Sequence, residues 1–297
     1  MASSDVLNFT EIPTVDDGIE RFEFHEYEPV ARTNLNSAGD IRIKIEQQDL
    51  FTLPSEAYLL FEGRLLKLDG TSYVNADVVT LTNNGIMPLF NQISYQLSNQ
   101  EVESVYYPGQ ATTMLGMLKY PNDFQLAQGL NQLWYKDGTT TAVIADNQGF
   151  ALRQSYIFQK PTTKEIFSFC IPLKHIFGFC DDYNKVIYEF KHTLTLRKVR
   201  KGDTNAILVN AAEASGKRLI VKTSPEKPRY IIVGFQTNKD GNQEVNSSIF
   251  DHCDLKNMYI MLNQERYPAV DYNLSFPNHQ FSKAYRDASV FSEKFME

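Results

Sequence analysis

The sequence is short of the features that commit a chain to a membrane, to export or to covalent cross-linking. Its 297 residues include three cysteines, Cys170, Cys180 and Cys253, and one tryptophan, Trp134. An odd number of thiols, two of them in apolar or strand-like runs, does not make a disulfide framework, and free thiols in a reducing compartment are expected. No stretch reaches the roughly 18 to 20 apolar residues that span a bilayer, so no transmembrane segment is expected. Residues 1–25 lack a basic segment followed by an apolar one, so export by a signal peptide is not expected either. Sequon matches beginning at Asn8, Asn246 and Asn273 then read as chance. Positive charge is also scarce, with 29 Lys and Arg against 36 Asp and Glu for a net charge of −7. Holding nucleic acid requires clustered cations that displace counterions, so no direct nucleic acid binding is expected. The N-terminal stretch sharpens this: Asp5, Glu11, Asp16, Asp17, Glu20, Glu23, Glu26 and Glu28 are answered only by Arg21.

Catalytic signatures are missing as well. There is no Gly-x-Ser-x-Gly elbow and no His-Glu-x-x-His helix, and Gly216-Lys217-Arg218 has Ala211 where a phosphate loop needs its upstream glycine. Asp251, His252, Cys253 and Asp254 are the densest group of metal-ligand types, but a metal needs donors converging from several elements. A turn whose Asp side chains bond the local backbone is expected there. His175 and Cys180, flanking Phe177 and Phe179, read as a packed core turn, and Asp181-Asp182 as a solvated hairpin end. No catalytic, cofactor-binding or metal-ligating residue is nominated, and no enzyme activity or cofactor is expected.

Aromatics and alternation are plentiful. With 20 Phe and 16 Tyr the composition leans toward strands. Ile41 to Glu46 alternates apolar and charged residues, and Phe190 to Val199 alternates with Leu194 and Leu196 expected inward. Ala57 to Leu66 is apolar on both faces and predicts a strand covered on both sides. Further strands are expected at Ile166 to Leu173, Lys185 to Phe190, Arg218 to Lys222, Arg229 to Gln236 and Asn257 to Asn263, between turns such as Asn83-Asn84-Gly85. Helical spacing is confined to Gln110 to Lys119, ended by Tyr120-Pro121, and to the C-terminus, where Phe281, Tyr285, Ala288, Phe291 and Phe295 recur behind a cap at Asn278. Many short strands with frequent turns mean a sandwich or barrel.

A phrase recurs. Tyr95-Gln96-Leu97-Ser98-Asn99-Gln100-Glu101 is answered by Tyr259-Ile260-Met261-Leu262-Asn263-Gln264-Glu265, each following an aromatic-led apolar strand, Tyr58-Leu59-Leu60-Phe61 or Tyr230-Ile231-Ile232-Val233. A hairpin reversing at the Asn-Gln pair fits both copies. Two related halves suit two eight-stranded jelly-roll barrels in tandem, an all-β double jelly roll with short accessory helices: an arm over 1–30, a first jelly roll over 31–148 and a second with its C-terminal helix over 149–297. The join is expected between Ala142 and Phe158.

The run Phe167-Ser168-Phe169-Cys170-Ile171-Pro172-Leu173-Lys174-His175-Ile176-Phe177-Gly178-Phe179, followed by Lys185-Val186-Ile187-Tyr188 and His192-Thr193-Leu194-Thr195-Leu196-Arg197, resembles the start of the second jelly roll in the double jelly-roll major capsid proteins of large DNA viruses, Polinton elements and adintoviruses. Ile41 to Glu46, Gln47-Gln48-Asp49-Leu50 and Ala57 to Leu66 resemble that family's opening. The chain departs from larger members by its shortness, which leaves little room for tall surface loops. The resemblance implies a homotrimer forming a pseudo-hexagonal capsomer, capsomer contacts closing an icosahedral shell, minor or penton capsid proteins as further partners, and location in the virion after assembly inside the host cell. Phe281, Tyr285, Phe291 and Phe295 are the candidate subunit-contact residues, packing on their own barrel or reaching a neighbour. A basic concentration, Lys198, Arg200, Lys201, Lys217, Arg218, Lys222, Lys227 and Arg229, reads as a solvated face or as a partner for an acidic surface. The rival is a carbohydrate-binding or glycan-active β-sandwich, with Trp134 beside Tyr135 as a sugar platform.

Overall fold

The computed structural model of the chain describes residues 21–31, 39–46, 51–67, 70–71, 73, 77–139, 146–158, 166–199, 207–209, 231–239, 242–262 and 264–291. Its organising element is a long antiparallel ribbon. Strand β1 (Ile41–Ile45), β2 (Phe51–Thr52) and β3 (Tyr58–Arg64) run out along one arm. On the other arm β7 (Ile166–Pro172), β8 (Ile187–Tyr188) and β9 (His192–Lys198) run back. They pair in nested order, Ile41 opposite Leu196, Phe51 opposite Tyr188 and Tyr58 opposite Pro172. Rolling such a ribbon so that distant strands become neighbours makes a jelly roll. The rolling is visible in β5 (Phe90–Leu97), which lies against β9 and carries β6 (Gln100–Tyr106) on its other side, giving a four-stranded sheet in the order β1-β9-β5-β6. Between the arms, β4 (Val79–Leu81) pairs with β10 (Ile207–Val209).

This pairing runs across the expected join. Strands before residue 148 are hydrogen-bonded to strands after 149 in three two-stranded sheets and in the four-stranded one, so 148/149 is not a boundary of strand pairing. The run from Phe167, expected to open a second jelly roll, forms the returning arm of this ribbon. At the expected join stands a helix that was not anticipated, α2 (Gln148–Phe158). Asn147 caps it, its Oδ1 accepting from the Phe150 amide at 3.1 Å. Phe150, Arg153 and Ile157 line its buried side. The helix was missed because an arginine occupies an inward position, which breaks the apolar period.

The core lies inside the ribbon. Ile93, Phe169 and Phe177 are fully buried, and Leu194 and Leu196 point inward as their alternation predicts. Gly63 stands opposite Phe167, whose ring lies so close that a Cβ on the glycine would come within 2.7 Å of it. One polar group crosses this core. Thr52 Oγ1 donates to Ile187 O at 3.1 Å and lies 2.9 Å from His192 Nε2, while His192 Nδ1 lies 2.6 Å from Tyr95 Oη. Since the threonine proton goes to Ile187, Nε2 donates to Thr52 and Nδ1 accepts from Tyr95, which defines a neutral imidazole tying β2, β5, β8 and β9 together.

Helix α1 (Pro108–Lys119) matches its expected place and ends before Tyr120-Pro121. Short α3 (Gly178–Asp182) receives the Glu103 carboxylate at its first amides, Gly178 N at 3.0 Å and Phe179 N at 2.8 Å. Asp181-Asp182 therefore ends a helix and not a hairpin, and Asp181 is ion-paired to Lys119.

The C-terminal part departs most from expectation. Among the described residues of 231–291 the regular elements are one hairpin, β11 (Ile260–Leu262) with β12 (Glu265–Tyr267), and α4 (Ser282–Ser289). The sheets are small and unclosed, so the two eight-stranded barrels of the expectation are not what the described residues form. Of the strand expected over 229–236, the described residues 231–236 carry one bridge, Phe235 with Asp251, while 229–230 and 218–222 lie outside the described residues. Both copies of the repeated phrase are hairpins, but they reverse one residue apart. Ser98 and Asn99 carry the positive φ values in the first (46° and 69°), whereas in the second Leu262 pairs with Glu265 and Gln264 has φ 70°. A one-residue slip exchanges the faces of a strand. Tyr95 is accordingly buried and Tyr259 exposed.

Candidate subunit-contact surface

Strands β2 and β3 turn Thr52 and Leu59 inward and leave the alternate residues outside. Leu59 is 7% exposed and its neighbour Leu60 53%, so the expectation that this strand is covered on both sides fails for the single chain. Its sequence is apolar on both faces, yet the ribbon closes over only one. Cross-strand partners share a face, which places Tyr188 beside Phe51 and Cys170 beside Leu60. Phe51 and Tyr188 stack with centroids 4.6 Å apart. Residues 21–30 add to this surface, since Phe24 packs on Tyr58 at 5.6 Å and Phe22 meets Phe24 edge-on at 5.2 Å. Val30 N donates to Arg42 O at 2.8 Å, fixing the end of this arm to β1. Phe22, Phe24, Phe51, Tyr58, Leu60 and Tyr188 are all exposed, and an apolar area of this kind marks an interaction surface. Sequence reasoning missed it, although the two-faced apolar run Ala57 to Leu66 carried the signal.

The C-terminal candidates are not one stripe. Phe281 stacks on Phe276 at 5.6 Å and Phe291 is buried, while Tyr285 is exposed. Phe295 lies outside the described residues. Asn278 is not the cap: Phe281 holds that position, and Asn278 Nδ2 donates to Ser275 Oγ at 2.9 Å. Of the basic concentration only Lys198 is described.

Sites weighed for chemistry resolve into packing. His252 stacks on Phe276 at 4.4 Å, and its Nδ1 accepts from the Asp254 amide at 3.0 Å. Asp251 accepts instead from Thr237 N and Lys239 Nζ, so the expected Asp-to-local-backbone bonds are replaced by one from the histidine and by a longer-range clamp. Trp134 is buried edge-on against Tyr120, and a buried indole offers no face to a sugar. His175 sits among Tyr120, Phe124 and Gln132, with Nδ1 donating to Gln132 Oε1 at 2.9 Å. Burial, reinforced by Lys119 and Lys174 and opposed by Asp181, lowers its pKa to about 4. The Cys180 thiol is raised to about 12 by burial, then by Glu103 and Asp181, which leaves it unreactive. The three cysteines are unpaired with one another.

A family model for the double jelly roll-like domain matches residues 79–224 and, again, 217–296. The chain belongs to the double jelly roll-like domain family. No curated protein matches it. The two matches overlap at 217–224. A double jelly roll-like chain must hold its second segment against its first, and a buried network does so here. Arg153 and Asp137 form an ion pair at 2.5 Å with both side chains 0% exposed. The guanidinium also donates to Leu81 O at 2.8 Å and to Tyr135 O, and Ser248 Oγ of the second segment lies 3.1 Å from Asp137 Oδ2. Among the described residues no helix is long and apolar enough to cross a membrane.

Proposed function

We propose that this chain is a structural shell protein, a capsid-type subunit that associates with copies of itself as a homotrimer and then, tile to tile, as an icosahedral shell of a DNA virus or related element. The observation that carries this is membership of the double jelly roll-like family by a chain whose rolled ribbon keeps an aromatic face outside. A globular chain that leaves Phe22, Phe24, Phe51, Tyr58, Leu60 and Tyr188 in water gains by covering them, and copies of itself are the partners a shell supplies. The role needs no cofactor and no catalytic step. Tyr285 is the exposed aromatic of the C-terminal helix and stands as a second contact, toward a neighbouring tile.

Mass and shape settle the matter together. Light scattering over a range of concentrations, with negative-stain microscopy of the same fractions, is expected to show particles of three times 34.0 kDa with a hexagonal outline, or closed shells. A monomer at every concentration and salt overturns the proposal.

A further inference from the structure

The segment Asn83-Asn84-Gly85, expected from the sequence as a turn between strands, is buried. Beside it lies a small, partly open recess walled by Thr82 and Asn83, by Gly109 and Thr113 from α1, and by Ser247 and Ser248 from the second matched segment. Asn84 is satisfied, its Nδ2 donating to Thr112 Oγ1 at 2.7 Å and to Thr113 Oγ1 at 3.2 Å. Asn83 is not. It is 1% exposed, and neither its amide nitrogen nor its amide oxygen has a protein partner. A native interior does not leave a whole carboxamide dry and unpaired, because the desolvation is uncompensated.

The other wall is equally incomplete. Ser248 Oγ has one proton and two acceptors, Asn246 Oδ1 at 2.7 Å and Asp137 Oδ2 at 3.1 Å, so its lone pairs receive no donor among these contacts. Thr113 Oγ1 accepts from Asn84, and its own proton is unassigned. The space admits the centre of one water-sized molecule, about 10 Å³, which is the least that a buried water requires. An apolar occupant would leave the polar wall unpaired.

We propose that this space is a binding site for a single structural water. It bonds the Asn83 amide on one side and the hydroxyls of Thr113 and Ser248 on the other, welding the second matched segment to the first beside the Arg153–Asp137 pair. The site is independent of whether the chain builds a shell.

Asn83→Leu tests it by sign. The leucine keeps the branching and the number of heavy atoms, is somewhat larger, and removes the amide. If water bridges the site, the variant strands the Ser248 and Thr113 hydroxyls, and the melting temperature falls by about 2–4 °C, the shift expected of one lost bridging bond in a chain of this size. If Asn83 is simply unpaired, the same change removes a penalty and the melting temperature rises, which overturns the proposal. A crystal structure of the unaltered chain decides the case even if the variant does not fold. One ordered water within hydrogen-bonding distance of both Asn83 and Ser248 is expected, whereas an Asn83 amide bonded directly to protein, or an empty space, refutes it.

Discussion

Leu60→Lys separates the contact face from the core. Leu60 is 53% exposed, so a lysine there keeps its ammonium in water, and Glu62 lies two residues along the same face as an opposite charge. In the single chain the change is expected to alter stability by about 0.5 kcal/mol or less, as surface substitutions do. In an assembled interface the same ammonium is buried opposite apolar groups, an uncompensated charge costing about 3–5 kcal/mol. At 1.4 kcal/mol per factor of ten, association weakens by about a hundredfold to several thousandfold. Sedimentation velocity over a concentration series reads this directly, alongside thermal melting of the same sample. Leu59→Lys is the control, one residue away and on the opposite face, and it is expected to unfold the chain. Unchanged association of Leu60→Lys refutes the assignment of the contact face. Loss of association together with a collapse in melting temperature also refutes it, because Leu60 would then belong to the core.

Removing one member of the Arg153–Asp137 pair, as in Asp137→Asn, leaves a buried guanidinium without its counter-charge and is expected to cost about 3–5 kcal/mol in urea unfolding; Arg153→Met combined with Asp137→Asn should cost less than the two single changes added, and strict additivity would count against the coupling. His175 titrates near 4 when folded against 6.5 when unfolded. A depressed histidine contributes stability that is present above 6.5 and lost as pH falls toward 4, about 3 kcal/mol over that window, so His175→Gln should flatten the urea midpoint between pH 7 and 4, and an unaltered slope would refute the assignment. Gly63→Ala drives a methyl into the Phe167 ring and is expected to cost about 1–3 kcal/mol; Phe167→Leu in the same chain should recover part of the loss, and no recovery would mean that backbone strain, not the ring, sets the cost.

Elements whose signal is local were legible. Period-two alternation places β1 and β9, with Leu194 and Leu196 inward, and the helical spacing before Tyr120-Pro121 places α1. Pairing was not legible, because alternation states which residues share a face and says nothing about which strand lies alongside. Nothing within Phe51-Thr52 names Ile187-Tyr188 as its partner, so the alignment of the two arms is beyond what alternation encodes. Helix α2 was hidden by Arg153, an inward arginine that only the carbonyls of Leu81 and Tyr135 and the carboxylate of Asp137 make tolerable. In the C-terminal part, Phe291 is buried, Phe281 half-buried against Phe276 and Tyr285 exposed, a division that depends on tertiary packing and that helical spacing does not encode.

The nested ribbon also orders folding and assembly. Thr52 and Ile187, which set Phe51 and Tyr188 side by side, are 135 residues apart, and Glu62 and Ser168 on the same ribbon are 106 apart. Pairings of such long sequence separation form late, because loop closure must precede the contacts that reward it. The outward aromatic face is therefore complete only when residues 166–198 have returned alongside 41–64. On the shell reading this couples the two processes in the useful direction: a chain still being made lacks Tyr188 and the paired strands that hold the face in place, and copies adhere only after each has closed its core. The net charge of −7 keeps finished subunits apart at long range until that short-range surface is available, so raising ionic strength should promote association of the folded chain. Association that weakens as salt is added would show that charge pairing, and not the apolar face, holds the subunits together.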